Sequence, residues 1–255
     1  MREGRSGILR GRGARNLLLA LCAGIAGFAD HALGQSPAAV PGEALTFTAM
    51  GNEPGWRLDI GGGRMVLTID YGATTMSMPT PSPEPVPGGR AYIADEAGRP
   101  VRVTVTDRIC HDTMTGMPRP ATVSIEFDGR KLDGCGGEPA SLLRGGAWVV
   151  ESIDGAPSIP DAKPTFTFGD DGSLSGHATC NGYSGTYVLT GEGLTVSRLV
   201  STMKACPPPL QQQEDAFLAI LREVLRFERP PEGALVLHTA GGRTIRGRRG
   251  VTIEK

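Results

Sequence analysis

Apolar and polar residues alternate in short runs over most of the chain from residue 44 onward. LTFTAM (45–50), WRLDI (56–60), RMVLTI (64–69), VRVTVT (101–106) and ATVSIEF (121–127) have the two-residue period of a strand with one buried face. GGG (61–63), DEAG (95–98) and DG (128–129) lie between such runs, and these residues accept the dihedral angles of tight turns. The pattern predicts antiparallel β-structure. PTPSPEPVPGG (79–89) carries proline at alternate positions, so it lacks the donors of a central strand and is expected to be an extended loop or a sheet edge.

The alternation restarts after GCGGEPASLLRGG (134–146). WVVESI, TFTF (165–168), SLSGHA (173–178), GTYVL (185–189), LTV (194–196) and VSTMKA (200–205) read as strands, with GDDG (169–172) as a turn. LQQQEDAFLAILREVLRF (210–227) changes period: Phe217, Leu221, Val224 and Leu225 recur at helical spacing, while Gln, Glu and Arg face away. LVLHT (235–239) and RTIR (243–246) close the chain as strands. The fold class expected is mostly β: two small antiparallel β-rich domains, the second α+β with a single packed helix.

The first residues follow another logic. Arg2, Arg5, Arg10, Arg12 and Arg15 precede the apolar run LLLALCAGIAGFA (17–29), which ends at small residues, Ala32 to Gly34. This is the order of a secretory signal peptide. The division expected is a signal peptide at 1–34, a linker at 35–43, one β-rich domain at 44–138, a linker at 139–146, a second domain at 147–248 and a tail at 249–255. The localisation expected is periplasmic or secreted. A lipoprotein anchored through Cys22 is the alternative, although Leu21 stands where lipoprotein processing takes a small residue.

The whole chain has a net charge of −1, and loss of the first 34 residues removes five arginines against Glu3 and Asp30. Such a balance argues against nucleic acid as a partner. No apolar segment after the signal reaches membrane length. The basic cluster Arg243, Arg246, Arg248 and Arg249 reads as a solvated edge, with anionic envelope surfaces as its other reading.

Four cysteines remain beyond Cys22: Cys110, Cys135, Cys180 and Cys206. In an oxidising compartment an even number reads as disulfides. The boundary at 139–146 leaves two in each half, which favours Cys110–Cys135 and Cys180–Cys206. A nucleophilic Cys180 would need a base, and His177, three residues upstream in a strand, falls on the opposite face. His111, His177 and His238 are isolated and the cysteines are spread apart, so no metal site is expected and no cofactor.

The second half, about residues 145–248, resembles the META/HslJ domain of bacterial envelope proteins. The resemblance rests on an opening Trp148, GHATCNGYSGTY (176–187), TMKAC (202–206), the helix with Glu214 and Phe217, and the closing LVL. It implies a compact β-rich fold with one helix, and a link to heat shock, novobiocin tolerance and envelope stress, but no catalytic motif. The first half resembles a second envelope family that often accompanies this domain, through GNEPGW (51–56), C-x-D-x-M-T-G-x-x-x-P (110–120) and GCGG (134–137). Gly55 and Thr115 depart from that family's usual aromatic and serine.

Asn52, Glu53, Trp56, Asp112, Met114, Asn181 and Tyr183 are the candidate ligand or motif residues. Asp112 is read first as an acceptor of backbone N–H groups in the turn after the bridged cysteine. Asn181 with Gly182 is read as a turn pair. No residue is expected to be catalytic. The function expected is that of a non-enzymatic envelope module active under stress, its partner an envelope protein or cell-envelope component. Its alternative is an inhibitor of an extracytoplasmic hydrolase such as a protease or lysozyme.

Overall fold

Alternating burial along the strands builds two sheets, each curled around its own core. The computed structural model describes residues 45–250, all of which fall within one compact unit. The expected signal peptide, its cleavage site, Cys22, the linker at 35–43 and the tail beyond Gly250 lie outside the described residues.

In space the first sheet runs Thr74–Pro79, Arg64–Ile69, Gly55–Gly61, Leu45–Asn52, Arg130–Gly136, Ala121–Phe127, Arg99–Thr106, Gly89–Glu96 and Glu84–Val86. Every neighbouring pair is antiparallel. Leu58, Met65, Leu67, Val103, Val123 and Ile125 point to the inside and are fully buried. The sheet is a half-barrel whose two edge strands, Thr74–Pro79 and Glu84–Val86, follow one another in the chain. The proline-rich segment therefore lies along the edges, as expected. Prolines there offer no N–H to an incoming strand, which protects an open seam from edge-to-edge pairing.

The second sheet runs Gly193–Ser201, Gly182–Thr190, Ser173–His177, Thr165–Phe168, Trp148–Ile153, Thr244–Arg249, Leu235–Thr239 and Val224–Glu228, with Ala156–Pro157 beside Trp148–Ile153. Its two ends nearly meet: a Cβ on Gly193 would stand 2.3 Å from the carbonyl oxygen of Leu225. The barrel is thus almost closed, and Gly193 is the residue that lets the backbones approach. The expected mostly-β class with one helix is the observed one.

The helix Pro208–Arg222 is the only α-helix among the described residues. Pro208 stands in its first turn, where a missing N–H costs nothing, and Arg222 lies in the last turn, facing the negative end of the helix dipole. Phe217, Leu218, Ile220 and Leu221 form its buried face.

The sequence expectation placed helix through residue 227; instead Val224–Glu228 is a strand paired with Leu235–Thr239. Val224 and Phe227 are buried by a strand containing a register shift, and Leu225 faces out. Over so short a stretch the two geometries bury a similar set of apolar positions. Residues 202–205, expected as strand, are not part of one, because side chains described below hold them. Thr74–Pro79, Gly89–Glu96 and Arg130–Gly136 are strands that had not been anticipated, as are the short Ala156–Pro157 and the small separate ladder of Cys110–His111 with Pro118–Arg119.

Candidate ligand cleft

Both expected disulfides are present, Cys110–Cys135 and Cys180–Cys206, with Cα atoms 5.4 and 6.3 Å apart. Cys180 thus has no thiol, and His177 is exposed at the end of its strand. Among the described residues no three His, Cys, Asp or Glu side chains gather in an arrangement that could hold a metal ion.

The first bridge fastens the loop that bears Asp112. Oδ1 of Asp112 accepts the backbone N–H of Met114 at 3.0 Å and of Thr115 at 2.8 Å, and the Thr115 hydroxyl at 3.0 Å. Oδ2 accepts Asn52 Nδ2 at 3.4 Å. Burial raises the carboxyl's pKa, but these donors outweigh it and hold Asp112 below the ordinary aspartate range. Asn52 also donates to the Thr113 hydroxyl at 2.8 Å. The hairpin of GNEPGW and the loop of the second motif are therefore one assembly.

Trp56 anchors that hairpin from below, its indole Nε1 donating to the Asp133 carbonyl at 3.3 Å. A Cβ on Gly51 would lie 2.2 Å from this indole nitrogen, and one on Gly134 would lie 2.2 Å from the Met50 carbonyl. These glycines of GNEPGW and GCGG are spacers for close packing. Trp56 is a core residue, and Glu53 is exposed at the hairpin tip. At Gly55 the neighbour is the Tyr71 ring, whose hydroxyl donates to the Asn52 carbonyl at 3.0 Å.

Above this assembly lies a cleft of about 440 Å³. Met50, Asn52, Asp112, Met114, Met117 and Arg119 line one wall; Pro139, Arg144, Tyr187, Leu189 and Gly191 line the other. Met117 passes out of the first half to pack in the second hydrophobic core. Arg144 donates to the Tyr187 hydroxyl at 3.0 Å and pairs with Glu138 at 3.4 Å. Arg119 Nη1 donates to the Gly137 carbonyl at 2.9 Å, and burial lowers the pKa of its guanidinium.

The segment between the halves forms part of this wall. Pro139–Leu142 is a single 3₁₀ turn, and Leu143 is fully buried. Trp148 Nε1 donates to the Leu143 carbonyl at 2.7 Å. Arg229 and Arg249 stack on Trp148, their guanidinium carbons 4.7 and 3.9 Å from a ring centroid. Arg229 donates to the Leu142 carbonyl, and Arg249 to the carbonyls of Arg144 and Gly146. The rest of the basic cluster is neutralised: Arg243 pairs with Glu223, Arg246 with Glu232 and Arg248 with Glu151.

Asn181 and Tyr183 are away from the cleft. Neither Asn181 nor Gly182 has a positive φ, so the turn-pair expectation is replaced by another role. Asn181 is 2% exposed; its Oδ1 accepts the Thr202 hydroxyl and the Lys204 N–H, both at 2.8 Å. That pair of bonds takes residues 202–205 off the sheet. Asn181 Nδ2 donates to Glu214 Oε1 at 2.8 Å, and Glu214 Oε2 accepts the backbone N–H of Cys180 and Asn181. Next to it, Gln213 bonds Ile159, Ala162 and Thr179, so one helical turn fastens two loops. Tyr183 is a core residue beside Phe217 whose hydroxyl donates to the Thr165 carbonyl, and burial pushes its phenol pKa up.

Sequence reasoning placed Asn52, Asp112 and Met114 among the candidates, and all three line the cleft. It missed Met117, Arg119 and Arg144, which no local motif marks, and Tyr187, which closes the GHATCNGYSGTY element without being singled out within it.

The family model of the META domain matches residues 141–250. The resemblance carried by GHATCNGYSGTY and TMKAC thus reappears as a domain match in the C-terminal part of the chain. Among solved structures, one titled as the NMR structure of the protein from Burkholderia xenovorans is 27% identical, covering 44% of this chain and 86% of that one, with a TM-score of 0.37. A second NMR structure is 26% identical over 45% and 97% of the two chains, with a TM-score of 0.38. The crystal structure of a duf4847 family protein from Bacteroides vulgatus ATCC 8482 is 16% identical over 44% and 98%, with a TM-score of 0.36. No curated protein matches.

Proposed function

We propose that the chain is a non-enzymatic binding module of the bacterial cell envelope, periplasmic or secreted, serving envelope stress and drug tolerance, with the 440 Å³ cleft as its working surface. The observation that carries this reading is convergence: Asn52, Asp112 and Met114, from two separate motifs, meet Tyr187 and Leu189 of the META-matching half around one concavity. The oxidation of all four described cysteines fits an oxidising compartment outside the cytoplasm. Among the described residues no helix is long and apolar enough to cross a membrane. Asp112, the acid nearest to a catalytic candidate, is engaged in fixing its own loop, which favours binding over turnover. The stress role follows from similarity to the META domain.

Gly191 provides the test. It lines the cleft, has open space where a Cβ would go, and its φ is not positive, so Gly191→Trp fills the cleft without backbone strain. A strain lacking the protein is expected to lose tolerance to novobiocin, and the wild-type gene to restore it. The Gly191→Trp protein, present in the periplasmic fraction at the same level, is expected not to restore it. Full restoration by the variant would remove the cleft from the function.

A further inference from the structure

Arg119 lacks what the other arginines near it possess. Arg57 pairs with Asp59 at 2.7 Å, and Arg144 has Glu138 and the Tyr187 hydroxyl. Arg229 and Arg249 each lie over the Trp148 ring. Arg119 has the Gly137 carbonyl on Nη1, only the thioether of Met50 at 3.5 Å on Nη2, and a buried Nε without an acceptor among the described residues. Sulfur of this kind is a weak acceptor, and a half-buried guanidinium short of partners is costly. The acids on the same cleft do not fill the gap. Asp112 acts on Arg119 through its charge while its oxygens hold Met114, Thr115 and Asn52, and Glu138 is paired with Arg144.

We infer that the cleft binds a small monoanionic amphiphile, an alkyl chain ending in a carboxylate or comparable head, with the head on Arg119 and the chain along Met50, Met117 and Leu189. The assignment rests on the reading of this cleft as the working surface. A single charge fits because one guanidinium lacks an anionic partner there, while Asp112 and Glu138 on the walls repel a second negative charge. An unbranched chain fits because methionine side chains are flexible and polarisable, and three of them, Met50, Met114 and Met117, line the space. The volume is at the small end of the range for ligand pockets, roughly 300–1,000 Å³. Placing an anionic oxygen on Nη2 replaces the thioether with a charge-assisted hydrogen bond.

The full protein labelled with ¹³C on its methionine methyl groups is titrated with octanoate, octanol and octyltrimethylammonium, and the Met50 and Met117 methyl resonances are followed. Octanoate is expected to reach half-saturation at about one-tenth of the concentration that the other two need, the ratio that a single charge-assisted contact supplies. Arg119→Gln is expected to abolish that advantage and Arg119→Lys to retain part of it. If octanol shifts these methyl groups at the same concentrations as octanoate, the anion assignment falls while the cleft stands. If none of the three probes shifts them, the cleft reading falls as well. Should Arg119→Gln fail to fold, the comparison of head groups on the wild-type protein decides by itself.

Discussion

Glu214 and Asn181 hold each other twice: the carboxylate accepts the amide side chain of Asn181 through Oε1 and its backbone N–H through Oε2, at 2.8 and 2.9 Å. Both side chains are almost fully buried, on a helix and on a bend more than thirty residues apart. Removing either leaves buried donors or acceptors without partners. Asn181→Ala and Glu214→Ala are each expected to cost about 3 kcal/mol in urea denaturation. The double variant is expected to lose less than the sum, with a coupling of about 1 kcal/mol or more. Additive losses would show the two groups to be independent.

Loss of the neighbouring bridge acts on the same corner through the unfolded chain. Replacing Cys180 and Cys206 together by alanine is expected to lower stability by about 3.5 kcal/mol, the loop-closure value for a separation of 26 residues. In the denatured, unreduced protein, alkylation is expected to leave all four of Cys110, Cys135, Cys180 and Cys206 unmodified. Mass spectrometry after digestion reads both pairings directly.

Asp112 gives a pH signature with a definite sign. Its folded pKa lies below the unfolded value, so its contribution is complete above the unfolded pKa, about 3.9, and is lost as pH falls through the lower folded value. Asp112→Asn keeps the shape but loses the charge, and is expected to cost about 1–3 kcal/mol at neutral pH. The difference between wild type and variant is expected to narrow below about pH 4. A constant difference between pH 2 and pH 7 would show that ionisation of Asp112 does not matter.

Arg249→Ala removes one of the two guanidinium groups over the Trp148 ring and frees the carbonyls of Arg144 and Gly146. Because one stacked guanidinium in a desolvated site contributes about 2 kcal/mol, local opening of 143–146 becomes more frequent. Trypsin is expected to cut after Arg144 about thirty-fold faster than in the wild type, under conditions where the rest of the chain resists. Unchanged cleavage would mean that the segment is held by Leu143 and Trp148 without Arg249.

The β-class, most of the strands and the oxidised cysteine pairs were legible because each has a local signature. RMVLTI and ATVSIEF became strands over the residues that alternate. The end of the helix was not legible, since Val224 and Phe227 suit a helix face and a bulged strand alike. Asn181 was misread because an Asn-Gly pair is also a common turn, and only the distant Glu214 shows that this one is a hub. Arg119 gave no signal at all: a guanidinium between two prolines becomes noteworthy only when its shortage of hydrogen-bond acceptors is seen in three dimensions.

The grip of Arg249 on Arg144 spans 105 positions. Fastening of residues 143–146 therefore belongs to contacts of very long sequence separation, whose loop-closure entropy must be met before they form. A stop codon shortly before Thr244 would thus yield not a slightly smaller protein but one arrested with its tether open.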